Sequence, residues 1–186
     1  MELKTRRLRI RFIQEADWPS LIEIWSDFDG SPYAQYDGPH DLDPESAREK
    51  SAQWEMTSPG REHMFFAVCL GERMIGLADF HRTPEGYECG YCFHSDYHGQ
   101  GYAKESLSAL LKWIAGGKQI RFTAGTALKN IPSVRLLQSL GFEKVGEEQV
   151  SFYKDSDGND ICFTGGLFAL DVPARNRKEI VNEGKN

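Results

Sequence analysis

The sequence predicts an α/β fold: one mixed, mostly antiparallel sheet with helices packed on it. Three observations predict this. Residues 5–13 alternate apolar and charged side chains, the pattern of a half-exposed strand. The stretch from Gly86 to His94 reads as a strand, enters a glycine turn and continues as a helix that is apolar on one face. Late in the chain, two apolar runs flank Asp155-Ser156-Asp157-Gly158-Asn159, whose Asp-Gly step signals a hairpin. Strands joined first by turns and later through helices give a mixed sheet. A chain of 186 residues is long enough for one domain with a real core and short for two. We expect the domain over residues 1–170 and a charged tail over 171–186.

In the first strand Leu8, Ile10 and Phe12 share one face, and Arg7, Arg9 and Arg11 the other, which reads as a solvated row. Asp17-Trp18-Pro19 opens a helix with Asp17 as its cap, and Leu21, Ile22, Ile24 and Trp25 form its apolar face. Phe28 to Leu42 carries Gly30, Pro32, Gly38 and Pro39 and reads as a loop. Its Tyr33 and Tyr36 either line a pocket or pack on their own helix. Asp43-Pro44-Glu45 begins a second helix that Ser58-Pro59-Gly60 ends. Met64 to Leu70 is apolar on both faces, as a central strand should be, and Met74 to His81 follows as its neighbour. After the glycine turn, Ala103, Leu107, Leu110, Leu111 and Ile114 recur at helical spacing until Gly116-Gly117 stops them. Gln119 to Thr126 is a strand, Pro132 to Leu140 a short helix, and Glu143 to Tyr153 with Ile161 to Leu170 the hairpin.

Composition narrows the function classes. A net charge of −6 argues against broad nucleic-acid binding, which calls for a basic face. No apolar run approaches the ~20 residues needed to cross a bilayer, and the first residues hold no apolar leader, so a cytoplasmic protein is expected. Cys89-Gly90-Tyr91-Cys92 spells a C-x-x-C, but a spacing of three on a strand sends the two side chains to opposite faces. We expect buried thiols and no metal.

The turn His98-Gly99-Gln100-Gly101-Tyr102-Ala103 is the strongest chemical signal. A glycine turn between strand and helix leaves several backbone N–H groups unpaired at the positive end of the helix dipole. Glycine removes the Cβ that would hold a phosphate away. The result is an anion cradle suited to a diphosphate. A nucleoside-triphosphate loop would need Lys followed by Ser or Thr, whereas Lys104 is followed by Glu105. A dinucleotide fingerprint would need a third glycine where Lys104 stands. A turn with glycines for geometry alone is the remaining alternative.

The run from His98 to Leu107 resembles the acetyl-CoA signature of the GCN5-related N-acetyltransferases (GNAT). Asn130-Ile131-Pro132-Ser133 followed by Leu140-Gly141-Phe142 is similar to that family's next block. The opening Leu3 to Arg11 resembles the first strand of its RimJ/RimL-like branch, which acetylates ribosomal proteins. The resemblance implies a single GNAT-like domain with helices on both faces of the sheet. It also implies transfer of an acetyl group from acetyl-CoA to a primary amine, with a protein N-terminal α-amine favoured and a small-molecule amine the other choice. The diphosphate would rest on Gly99, Gln100, Gly101, Tyr102 and Ala103, with His98 as a further donor. The pantetheine arm would run like an extra strand beside Tyr91, Cys92, Phe93 and His94, where neighbouring strands splay apart in that family, and Asn130 would hold the arm or the strand end. Glu88 is nominated as the base, against the reading of an ordinary exposed strand residue. The usual acid tyrosine of the family falls at Leu137, so Ser133 is nominated to serve the departing sulfur, against a helix-start serine bonding backbone. Glu105 reads as structural, because a carboxylate inside the cradle would repel the anion. A homodimer is compatible with the family, and a non-catalytic CoA-binding module is the alternative to an enzyme.

Overall fold

Alternation and turn chemistry place eight strands in one sheet. In a computed structural model, described over residues 1–174, they run in the order β1-β2-β3-β4-β5-β6-β8-β7. The strands are β1 (Glu2–Lys4), β2 (Leu8–Phe12), β3 (His63–Leu70), β4 (Arg73–Arg82), β5 (Gly86–Phe93), β6 (Ile120–Ala127), β7 (Glu143–Lys154) and β8 (Asp160–Val172). The helices are α1 (Trp18–Asp29), α2 (Pro44–Thr57), α3 (Tyr102–Ala115) and α4 (Ile131–Ser139). All neighbouring strands are antiparallel except β5 and β6.

Helices cover both faces. Leu107, Leu110, Leu111 and Ile114 of α3 and Leu137 of α4 join Ile10, Phe66, Phe80, Phe122 and Phe168 in one core. Leu21, Ile24 and Trp25 of α1 join Phe65, Ala67, Met74 and Leu77 in a second core on the opposite face. Cys89 belongs to the first and Cys92 packs against the second, as strand alternation requires. Among the described residues no helix is long and apolar enough to cross a membrane.

Four expectations change in detail. The opening strand is a hairpin, β1 pairing Leu3 with Ile10 of β2, because Thr5 Oγ1 and backbone fold residues 5–8 into a turn. Asp17 does not cap α1. It sits in a 3-10 turn, nearly buried, where its carboxylate takes both Arg11 guanidinium nitrogens at 2.6 and 2.7 Å and the Gln14 N–H. The arginine row is therefore not simply solvated: alternation fixes the face but cannot show a carboxylate brought in by the next turn. Asp171 and Val172, placed in the tail by the sequence, end β8, and Asp171 pairs with Arg121. The rest of the expected tail, from residue 175, lies outside the described residues.

Candidate active site

The parallel neighbours β5 and β6 pair only over Gly86–Arg121, Tyr87–Phe122 and Glu88–Thr123. Beyond Glu88 the strands separate, while β5 stays paired with β4 as far as Phe93. His94 N–H donates to the Ile75 carbonyl at 3.1 Å. Backbone groups along an antiparallel strand alternate sides, so those of Cys89, Tyr91 and Phe93 face away from β4 and into the split. The result is a slot with strand-like hydrogen-bonding capacity on one wall.

The slot leads straight to the glycine turn. Gly99 and Gly101 adopt φ of 71° and 80°, a region that side-chain-bearing residues avoid. Gly101 supplies no side-chain cap to α3, and the first intrahelical bond is Glu105 N–H to the Gly101 carbonyl. Among the described residues the amides of Gly99, Gln100, Gly101, Tyr102 and Ala103 have no protein acceptor. A Cβ at Gly99 would meet nothing within 4 Å, so the turn is open to an approaching anion. Unpaired amides, an open glycine face and a helix N-terminus fit a diphosphate, and the slot fits an amide-bearing arm.

The turn is tied to the first hairpin. Glu105 accepts from Thr5 Oγ1 at 2.6 Å, Arg7 N–H at 3.0 Å and Arg7 Nε at 2.8 Å. Arg7 Nη1 also donates to the Gln100 carbonyl at 2.9 Å, and its guanidinium covers the Tyr102 ring. Glu105 is thus neutralised beside the cradle, as its structural reading expects. Desolvation pushes its carboxyl up, but the hydrogen bonds from Thr5 and Arg7 outweigh it and hold it below the ordinary value. A depressed carboxylate stabilises the fold above its unfolded pKa and loses that contribution as pH falls through the folded one. Arg7→Ala is expected to destabilise by roughly 1 kcal/mol after screening and to weaken acetyl-CoA binding, since the Gln100 carbonyl loses its anchor. Denaturant titration and calorimetry check this, and the stability gap between wild type and Glu105→Gln should close in acid.

Other nominated residues fall as follows. His98 turns inward: its Nε2 meets the Phe93 carbonyl at 2.8 Å, and its own N–H is used by the Ser95 carbonyl. The ring spans the turn rather than reaching outward for phosphate. His94 Nδ1 accepts the Asp96 N–H, so that side chain also serves the turn. Asn130 Oδ1 caps α4 by accepting Ser133 N–H at 3.3 Å. Ser133 Oγ bonds the Tyr91 hydroxyl at 2.8 Å, not helix backbone. Burial drives the Tyr91 phenol well above its ordinary value, with the Ser133 bond opposing, so it keeps its proton. Tyr91 begins the stretch expected beside the arm, but its pairing with Ser133 is not visible in the sequence. Leu137, where the usual tyrosine would stand, is fully buried. Cys89 and Cys92 are both pushed up to about 12, chiefly by burial, so neither offers a thiolate.

Glu88 is the last β5 residue paired with β6, and it is exposed. Its antiparallel partner is His81, whose Nε2 lies 3.0 Å from Asp79 Oδ1. The loop between α1 and α2 reaches across the sheet: Tyr36 packs on Phe163 of β8, and the Tyr153 hydroxyl donates to the Ala34 carbonyl. The Tyr36 ring, half-buried, thus packs on the terminal hairpin.

A model of the acetyltransferase (GNAT) domain matches residues 7–143. The chain belongs to the GNAT family. It is 29% identical over 155 residues to the uncharacterized N-acetyltransferase YnaD of Bacillus subtilis, covering 78% of this chain and 85% of that protein. Its fold superposes on RimL, the ribosomal L7/L12 α-N-protein acetyltransferase in complex with coenzyme A, with a TM-score of 0.78 at 18% identity, covering 94% of this chain and all of the other. It also superposes on the ribosomal-protein-S5-alanine acetyltransferase from Vibrio fischeri, with a TM-score of 0.73 at 20% identity, covering 92% and 96% of the two chains. The GNAT assignment makes this an acetyltransferase, and acetyl-CoA is the cosubstrate of that family.

Proposed function

We propose that this enzyme moves an acetyl group from acetyl-CoA to a primary amine, with a protein N-terminal α-amine as the preferred acceptor. One observation carries the reading: the β5/β6 split opens directly onto the uncapped N-terminus of α3. Bound acetyl-CoA supplies a thioester, an acyl donor already activated toward amines. The amides from Gly99 to Ala103 hold its diphosphate, and the Phe93 N–H, directed into the split, offers a donor to charge developing on the carbonyl oxygen. Fixing two reactants against one strand removes much of the entropic barrier. Ser133, backed by Tyr91, faces the departing sulfur.

Energetics favour the α-amine. Removing a proton at pH 7 costs about 4.6 kcal/mol from a lysine near 10.4 but about 1.4 kcal/mol from an α-amine near 8. Acidic residues support a cationic acceptor, since Asp37, Asp27, Asp29 and Asp79 all lie close enough to Cys92 to raise its thiol. The ribosomal-protein acetyltransferases among the fold neighbours support a protein acceptor.

Acetyl-CoA is expected to raise the melting temperature, while NAD and ATP leave it unchanged, because a ligand that binds only the native state stabilises it. Free-thiol release should then appear with N-terminal peptides in an amine panel. Stabilisation by CoA with no thiol release from any amine would favour the non-catalytic module, for which Leu137 in place of the usual tyrosine is the supporting observation.

A further inference from the structure

The mechanism above leaves one group of titratable residues unused. Asp79 and His81 lie on β4 and His63 lies on β3, with His63 directly across from His81 in the sheet. Asp79 Oδ1 lies 3.0 Å from His81 Nε2, and His81 Nδ1 lies 2.9 Å from His63 Nδ1. Three side chains thus make one unbroken hydrogen-bonded line. Its inner end is at the split: Asp79 pairs with Gly90, and a Cβ on Gly90 would come within 2.7 Å of both carboxylate oxygens. The carboxylate therefore lies over the one bare position on this face of the separated part of β5, between the backbone groups of Cys89 and Tyr91 that face the split. Its outer end is exposed, at His63.

We propose that Asp79, His81 and His63 form the outlet for the proton that the acceptor's ammonium must lose, with Asp79 in contact with the amine. This rests on the transferase reading. Asp79 receives the ammonium through its free oxygen. One N–H bond breaks, its electron pair stays on nitrogen, and the proton goes to the free oxygen of Asp79, whose other oxygen shares a proton with His81 Nε2. His81, the imidazolium of that pair, gives up its Nδ1 proton to His63 Nδ1, and His63 releases its Nε2 proton to water, so one proton enters the line and one leaves it. The freed pair forms the C–N bond as the C–S bond breaks. The second proton shed by nitrogen balances the one gained by sulfur at Ser133.

The chemistry favours this line over Glu88. A carboxylate hydrogen-bonded to an imidazole hands its proton on to a group far better matched to an amine, and Asp79 has such a partner in His81. The groups facing His81 are Asp79 on its own strand, His63 from β3 and Glu88 from β5. The Asp79 hydrogen bond raises the His81 pKa, desolvation opposes it, and the charges of Asp79 and Glu88 add to the rise.

The test measures pH–rate profiles for an N-terminal peptide, acetyl-CoA affinity by calorimetry and His81 titration by NMR, in wild type and in Asp79→Asn, His81→Gln, His63→Gln and Glu88→Gln. His81→Gln should lower kcat/KM about 100-fold and remove the limb of the pH profile that belongs to His81, with acetyl-CoA affinity unchanged. Asp79→Asn should lower the NMR midpoint of His81 and raise KM for the amine. A wild-type profile retained in His81→Gln, or the loss produced by Glu88→Gln alone, overturns the outlet while leaving the transferase. Absence of turnover in wild type with every amine overturns the transferase reading itself.

Discussion

Ser133→Ala is expected to lower kcat about 100-fold while leaving the dissociation constant for acetyl-CoA unchanged. The expectation follows from what Ser133 touches. Its hydroxyl is fixed at 2.8 Å by Tyr91, on the opposite side of the split from its helix, so it is aimed by tertiary structure and not by its own backbone. The phenol behind it stays protonated, because burial raises its pKa. A thiolate near 8.5 is too weak a base to strip a phenol above 10, so complete proton transfer from Tyr91 is uphill. The pair works as a fixed donor to charge building on sulfur, and a donor that strengthens only as charge develops raises kcat and not affinity. Tyr91→Phe should cost roughly tenfold, the value of one supporting hydrogen bond, and the double variant should cost little more than Ser133→Ala alone. Steady-state kinetics with calorimetry on the three variants checks this. Loss of cosubstrate affinity in Ser133→Ala would instead make the serine part of the binding wall.

The strands and the cradle were legible because each is a local pattern. Leu8, Ile10 and Phe12 announce a face whatever their neighbours, and two glycines flanking Gln100 announce a turn into a helix. The split was legible only through family resemblance, since Cys89 to Phe93 alternates the same way whether β6 is paired to it or not. Tyr91 and Ser133 stand 42 positions apart, and nothing periodic links a strand tyrosine to the third residue of a later helix. His63 and His81 stand 18 apart and meet through the β3–β4 register, which a bulge between Val68 and Cys69 shifts. His98 misleads for another reason: a turn histidine can face solvent or its own strand, and the Phe93 carbonyl decides.

Gly86→Ala is expected to destabilise the domain by about 3 kcal/mol or more, lowering the melting temperature by roughly 6–12 °C. Gly86 is buried and opens the three-residue pairing that sets the apex of the split. A Cβ there would lie 1.8 Å from the Arg121 carbonyl oxygen and 2.8 Å from its carbon. Those atoms are backbone of the neighbouring strand, so no rotamer relieves the contact, and β5 and β6 must move apart. Any such movement widens the slot at its narrow end and carries the cradle with β5, so acetyl-CoA affinity should fall in the same variant. Gly125→Ala is the control: it lies on β6 one residue past Ala124, with nothing within 4 Å of a new Cβ and no positive φ. Removing glycine's freedom from the unfolded chain should leave that variant as stable as wild type or slightly more so. Opposite signs from one methyl group on adjoining strands would locate the rigidity of the site at the apex. Equal melting of Gly86→Ala and wild type would mean that the strands absorb the clash and that the apex does not fix the slot.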